Sequence, residues 1–214
     1  MINEKSGKLV VISGPSGSGK GTVLKELFAL TDNKYKYSVS ATTRSPREGE
    51  TDGVNYYFLS HGEFFKKTSD GDMLEYVEYS GNYYGTPKKP VEKMLADGYN
   101  VILELEVLGA VNIKEKFPRT VMIFLTPPTY AELEKRLRAR GTESEEAVKN
   151  RLEKAKKEVN SIDKYGYLVI NETGLQKEAA VIINGIVEAD LKTEEEYRIN
   201  SKKVKNFLKN YFNN

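Results

Sequence analysis

Four short apolar runs punctuate the chain, and segments with helical spacing follow them. Residues 8–13 (KLVVIS), between Gly7 and Gly14, read as a buried strand. A glycine-rich turn follows, then residues 22–30 with Val23, Leu24, Leu27 and Phe28 at helical spacing. Residues 101–106 (VILELE) predict a second strand whose alternation puts Glu104 and Glu106 on one face. Residues 120–125 (TVMIFL), closed by Pro127-Pro128, predict a third, and residues 167–170 a fourth. A helix is expected over residues 90–97, stopped by Gly98. Thr129 and Glu132 predict a capping box opening a helix to Arg140, and Thr142 with Glu145 repeats that signature ahead of a helix to Val159. Further helices are expected over residues 175–188 and, as one terminal piece, 193–212, with Lys202, Lys203, Lys205 and Lys209 on its wet side.

Residues 36–86 differ in character, being rich in Tyr, Ser, Thr and Gly, with alternating stretches such as residues 56–59 (YYFL). They predict short strands and turns with one helix near residues 62–67. Apolar strands alternating with helices elsewhere imply an α/β fold with a mostly parallel sheet and right-handed crossovers. The expected organisation is one domain over residues 1–214. Its core takes about 1–35, 87–125 and 161–190, with an inserted β-rich subdomain at 36–86. Two helices bending at Gly141 fill 126–160, and a helical tail fills 191–214.

Composition narrows the chemistry. The 214 residues are 39% hydrophobic and 30% charged, which excludes a disordered chain. A chain of this size buries roughly 70% of its unfolded surface and needs no disulfide or metal to fold. With no cysteine and one histidine, a disulfide framework, a thiolate nucleophile and a multi-histidine zinc site are excluded. His61 is given no chemistry. A net charge of +2 argues against a nucleic-acid partner. No apolar run could span a bilayer and no apolar signal core opens the chain, so a cytoplasmic protein without a membrane partner is expected. Monomer and homo-oligomer both remain open.

Gly14, Pro15, Ser16, Gly17, Ser18, Gly19 and Lys20 match seven positions of the phosphate-binding pattern GxxxxGK[ST], directly after a predicted strand and before a predicted helix. Glycines let successive N–H groups turn inward to phosphate oxygens, the helix N-terminus adds partial positive charge, and Lys20 adds a full one. The next position is Gly21, where a hydroxyl normally reaches Mg²⁺. The metal is therefore expected to be held by substrate phosphates and water, with Thr22 on a phosphate. By itself the loop marks a nucleotide-phosphate site and no more.

A second anion site is suggested by residues 38–50 (SVSATTRSPREGE), where Arg44 and Arg47 flank the stiffening Pro46. Here the chain resembles guanylate kinase. The resemblance rests on GPSGSGK, SVSATTRSPREGE, GNYYGT, LELE and RLRARGTESEE, and runs from about Lys8 to Asn171. It implies a P-loop nucleoside-triphosphate-hydrolase-like three-layer fold with a GMP-binding subdomain and a helical lid. It implies Mg²⁺-dependent phosphoryl transfer from ATP to GMP or dGMP. The family's GMP site falls on Ser40, Arg44, Arg47, Tyr56, Glu75, Tyr84, Thr86, Glu104 and Glu106. Its catalytic cations fall on Lys20, Arg44, Arg136, Arg140 and Arg151, the last three in the lid.

The base chemistry agrees. Guanine presents N1–H and N2–H₂ donors that a carboxylate such as Glu75 accepts, with Ser40 and Thr86 hydroxyls as donors to O6; adenine reverses that pattern. Two departures stand out: glutamates at 104 and 106 where the family often has aspartates, and Leu108 where glutamine is common. Two other readings stay open. A non-catalytic binding module of the same fold is disfavoured by the intact Gly19-Lys20 loop. A kinase for another phosphate ester is disfavoured by Glu75 with Ser40 and Thr86.

Overall fold

The computed structural model describes residues 6–139, 141 and 144–213. In chain order the elements are β1 (Leu9–Ser13), α1 (Lys20–Leu30), β2 (Tyr35–Tyr37), β3 (Ala41–Thr42), β4 (Tyr57–Phe58), α2 (His61–Ser69), β5 (Met73–Tyr79), β6 (Asn82–Pro87) and α3 (Lys88–Ala96). They continue with β7 (Asn100–Glu104), α4 (Val107–Lys116), β8 (Val121–Thr126), α5 (Tyr130–Arg138), α6 (Glu145–Val159), β9 (Tyr167–Ile170), α7 (Gln176–Val187), α8 (Leu191–Tyr197) and α9 (Ser201–Asn213). Five strands form one sheet in the order β2-β7-β1-β8-β9, with β2 parallel to β7 and β8 parallel to β9. All five residues of β1 are buried, as expected of a strand covered on both faces. Two compact units divide the chain: Lys34–Thr120 with the residues through Val10, and Val11–Asn33 with the residues from Val121 on.

In the first unit a separate four-stranded sheet runs β4-β3-β6-β5. Its β5–β6 hairpin turns through Ser80 and Gly81, both at positive φ (50° and 73°), the mirror-image turn that matches strand twist. That turn sets a register in which Glu75 faces Thr86 and Val77 faces Tyr84. β3 joins by pairing Thr42 with Tyr84. Behind the sheet, Phe64 of α2 is fully buried with Ala41 and Met73. A capping box between Ser60 and Glu63 starts α2, close to the expected position.

The strand expected to run through residue 106 stops at Glu104. Glu106 is instead the N-cap of α4, and Ala110 N–H donates to Glu106 O at 2.9 Å. Strand alternation therefore does not put Glu104 and Glu106 on one face. The sequence reading also missed α4. Its Gly109 and β-branched Val107, Val111 and Ile113 are weak helix formers, and burial of Gly109, Ala110 and Ile113 holds it instead.

In the second unit α1 packs on α7, and α5 packs on α6 through a cluster of Leu133, Leu137, Val148, Leu152 and Ala155. Thr129 caps α5 by accepting from Glu132 N–H, but the Glu132 side chain turns to Arg136 rather than back to complete the box. The cap of α6 is Ser144, which accepts from Ala147 N–H; Thr142, expected in that role, lies outside the described residues, as does Arg140.

The tail is not one helix. Arg198 is extended and bridges Tyr167 of β9, and Ile199 N–H donates to Gly166 O at 2.8 Å, which breaks the chain between α8 and α9. The expected lysines of α9 are exposed. Its other side buries Tyr211 completely, with Thr126 Oγ1 3.1 Å from the Tyr211 hydroxyl and the rings of Phe207 and Tyr130 beside it. Among the described residues no helix is long and apolar enough to cross a membrane.

Tyr211 is the large buried anchor of α9. Tyr211→Ala is expected to cost about 3–5 kcal/mol in chemical denaturation. Tyr211→Phe, which removes only the hydroxyl, should cost about 1 kcal/mol.

Candidate functional site

The phosphate cradle lies wholly in the second unit. β1 delivers the chain to Gly14, where a Cβ would stand 1.9 Å from Leu125 O, so a side chain is excluded by backbone. Gly17 and Gly19 take φ of 90° and 84°, which only glycine adopts without strain. Ser18 N–H donates to Pro15 O at 3.0 Å and closes the turn. Gly19 is the N-cap of α1 and provides no side-chain acceptor. The first N–H groups of that helix therefore have no capping side chain and face a partial positive charge outward. Lys20 Nζ folds back on the loop, donating to Gly14 O at 2.7 Å and Pro15 O at 3.4 Å.

One arginine of the expected lid bonds this loop, and a second stands beside it. Arg151 of α6 donates to Ser16 Oγ at 2.6 Å. Arg136 of α5 donates to Glu132 at 3.0 Å and to Asn171 O and Thr173 Oγ1, each at 2.9 Å. Arg138 is an exposed charge bridging Glu134 and Glu145, as its position off the shared face implied. Gly21 has nothing within 4 Å of a built Cβ and Thr22 is exposed, so a hydroxyl at 21 would fit but the chain does not supply one.

Asn171 is a loop residue to which sequence reasoning gave no role. It is 1% exposed, its Nδ2 donates to Ser18 O at 2.7 Å, and a Cβ on Gly19 would lie 2.3 Å from that nitrogen. Through its own carbonyl it also receives Arg136, so one residue ties the loop to an arginine. Ser18 Oγ and Asn171 Oδ1 are buried with no hydrogen-bond partner among the described residues. The available sequence signal was an asparagine directly after a buried strand.

The second anion site lies wholly in the first unit. Alternation along the paired strands puts Glu75, Thr86, Tyr84 and Thr42 on one face of the small sheet, with Ser40 two residues before Thr42. Glu75 is 2% exposed. Thr86 Oγ1 donates to its Oε1 at 2.7 Å, while Oε2 is buried with no partner among the described residues. Burial pushes the carboxyl up to about 7, against smaller opposing effects of the Thr86 hydrogen bond and Lys116. Thr86 thus spends its one hydroxyl proton on Glu75 and presents lone pairs, rather than the donor to guanine O6 expected from the sequence.

Arg44 forms a fork with Glu50, two bonds of 2.9 Å, and adds a bond to Ser45 O at 2.7 Å. Its guanidinium lies near Tyr84 and 5.4 Å from the Tyr56 ring centroid. Tyr56 and Tyr84 meet edge to face with centroids 6.0 Å apart. Glu50 holds Arg44 firmly charged, and Arg44, with the Arg47 N–H at 2.7 Å, holds Glu50 below the usual carboxylate range. Arg47 is exposed. Glu104 is half-buried beside Tyr37; Tyr37 is 41% exposed, but its hydroxyl end is desolvated, and that desolvation, with the Glu104 charge, pushes the phenol up. Glu106 is exposed at the α4 N-cap. Glu50 and Tyr37 were not singled out from the sequence; each orients a residue that was.

Comparison with known proteins places the chain in a family. A family model described as guanylate kinase matches residues 6–188. A guanylate kinase of Listeria innocua is 51% identical over 189 residues, covering 88% of this chain and 91% of the relative. One of Bacillus subtilis is 47% identical over 183 residues, covering 84% and 90%. The crystal structure of guanylate kinase from Anaplasma phagocytophilum superposes with a TM-score of 0.68 at 29% identity, covering 95% of this chain and 96% of that one. Cradle, carboxylate and arginine pair sit on a chain that belongs to the guanylate kinase family.

Proposed function

We propose that the chain transfers the terminal phosphoryl group of ATP to the phosphate of GMP or dGMP, releasing ADP and GDP or dGDP. The observation that carries this reading is Glu75, a carboxylate taken out of water with one oxygen unanswered. Such a group is costly in the free protein unless a ligand supplies donors, and the guanine edge has two side by side. In the ionised state Oε2 accepts one of them and Oε1, shared with Thr86, the other. Thr86 lone pairs and the Ser40 hydroxyl complete the base contacts. Arg44, Arg47, Tyr56 and Tyr84 take the GMP phosphate, with Glu50 keeping the Arg44 fork oriented.

The loop of Gly14, Pro15, Ser16, Gly17, Ser18 and Gly19, with Gly21 and Thr22, holds the ATP phosphates through main-chain N–H groups. Lys20 leaves its carbonyl partners for the outer phosphates. The acceptor phosphate oxygen is already an ionised nucleophile, so no general base is required, and catalysis is positioning plus charge stabilisation. Arg136 and Arg151 stabilise the transferring group, together with Arg140. We take residues 36–86 as the GMP-binding subdomain, 126–160 as the lid and the remainder before the tail as the core.

The chain suits a Mg²⁺ ion brought by the nucleotide. Gly21 offers it no oxygen, and among the described residues no group of three or more acidic, histidine or cysteine side chains stands ready to cage it. Of Glu104 and Glu106, one would hold its water shell while the other touches the GMP. When bound, the ion neutralises phosphate charge.

A coupled assay for ADP should find turnover with GMP and dGMP, and rates lower by about 10⁴-fold with AMP, CMP and UMP. Lys20→Ala should reduce turnover by about 10²–10³-fold with an unchanged circular dichroism spectrum. Activity within a few-fold of the parent would remove Lys20 from the reaction.

Glu75→Gln should raise KM for GMP by about 30-fold or more, the worth of a charge-assisted bond, with KM for ATP within about two-fold. The same variant tests the raised carboxyl. With a folded value of about 7 against an ordinary 4.5, the native state holds an extra proton between those pH values. Stability from Glu75 is then fully present below pH 4.5 and lost as pH rises through 7, on the order of 3 kcal/mol. Glu75→Gln should therefore gain on the parent in denaturation measured at pH 8 relative to pH 5. A constant difference across that range would place Glu75 in water.

A further inference from the structure

Gly109 is the third residue of α4 and is buried. Its φ is not in the left-handed region, so the backbone does not require a glycine there. Glycine is also the poorest helix former after proline. The reason for a glycine lies in its surroundings. A Cβ built on Gly109 would stand 2.8 Å from Glu75 Oε2 and 3.5 Å from the carboxyl carbon, with Leu105 Cβ next at 3.7 Å. Of the other helical glycines, Gly21 and Gly62 have nothing within 4 Å, and Gly185 meets Thr193 at 2.9 Å, which is no site residue.

We propose that Gly109 is a specificity-determining position for the acceptor nucleotide: its missing side chain keeps open the space occupied by the free oxygen of Glu75, and so sets where that carboxylate meets the guanine edge. The proposal rests on the reading of Glu75 as the guanine selector. Oε1 is fixed by the Thr86 hydroxyl, so the carboxylate has one soft motion left, a swing of Oε2. Gly109 borders that swing on the α4 side. A methyl group at 109 leaves the strands and helices in place, because the atom it meets is the tip of a glutamate. It drives that tip off its position. Two adjacent hydrogen bonds to N1–H and N2–H₂ tolerate a few tenths of an ångström before one of them is lost. Gly109 touches no reacting atom. It acts through Glu75, as a positioning residue.

The test is Gly109→Ala, alone and combined with Glu75→Asp, beside Glu75→Gln, with GMP affinity measured by calorimetry, both KM values by coupled assay, and Tm by thermal melting. Gly109→Ala should weaken GMP by about tenfold or more, keep KM for ATP within two-fold, and keep or raise Tm, since alanine is the better helix former. Glu75→Asp withdraws the carboxylate by one methylene. In that background Gly109→Ala should cost GMP affinity less than about two-fold. An unchanged GMP affinity for Gly109→Ala, with Glu75→Gln strongly impaired, overturns the role of Gly109 and leaves the selector reading standing. Unimpaired Glu75→Gln overturns both. A fall in Tm with equal weakening of ATP and GMP, unrelieved by Glu75→Asp, makes Gly109 a packing residue only and overturns the proposal.

Discussion

Taking the Glu75 carboxyl out of water and leaving one of its oxygens without a partner is costly, and the strands around it hold it there. Glu75 sits mid-strand on β5, where its backbone is committed to β6 and cannot relax to bring the carboxylate to solvent. The hairpin turn at Ser80 and Gly81 fixes which β6 residue stands opposite, and that residue is Thr86. A slip of one residue would turn Thr86 to the other face and leave both oxygens stranded. The buried cluster of Phe64, Ala41 and Met73 holds the small sheet against that slip.

The phosphate loop expresses the same principle with donors instead of acceptors. Helices α2, α5, α6 and α8 start with side-chain caps from Ser60, Thr129, Ser144 and Asp190. Helices α3, α4 and α7 start without a side-chain cap, and α1 does so on a left-handed glycine. Its first N–H groups are left without a side-chain cap, and the loop is held open by contacts around it. Leu125 O forbids a side chain at 14, Asn171 holds the Ser18 carbonyl, and Arg151 engages Ser16. A phosphate entering such a loop finds its donors already oriented, which lowers the cost of binding.

These features differ in how far they could be read from the sequence. The strand–loop–helix at residues 8–30 was legible because glycine spacing and the flanking periodicity are local signals. Glu75 could be named only through family resemblance, since its pairing with Thr86 depends on a register that composition does not reveal. Asn171 contacts Ser18 across 153 positions, and no window contains both. Glu50 stood inside a quoted motif, yet its fork with Arg44 depends on how the loop around Pro46 closes. Helix α4 was hidden by its own weak propensity. The break in the tail was hidden for the opposite reason: residues 193–212 have good helical spacing, and it is Gly166 and Tyr167 of a distant segment that pull Arg198 and Ile199 into an extended bridge.

The misses and the chemistry share a cause. A chain arranged only for its own stability would cap α1 with serine or aspartate, place alanine at 109 and bury an uncharged side chain at 75. Each of these positions instead holds the residue that is worse for local structure. Each lies on a surface where hydrogen-bonding capacity is left unspent or space is left open. At these three positions local preference and the observed residue disagree, and each is a position proposed above to meet or border a nucleotide. The converse is informative too. Tyr211, the capping box of α2 and the core of α5 and α6 satisfy local and tertiary preference together, and none presents an unpaired group to a ligand. Stability and chemistry are thus assigned to different residues, and substitutions at the two sets should separate in what they change: melting temperature for one, nucleotide affinity for the other.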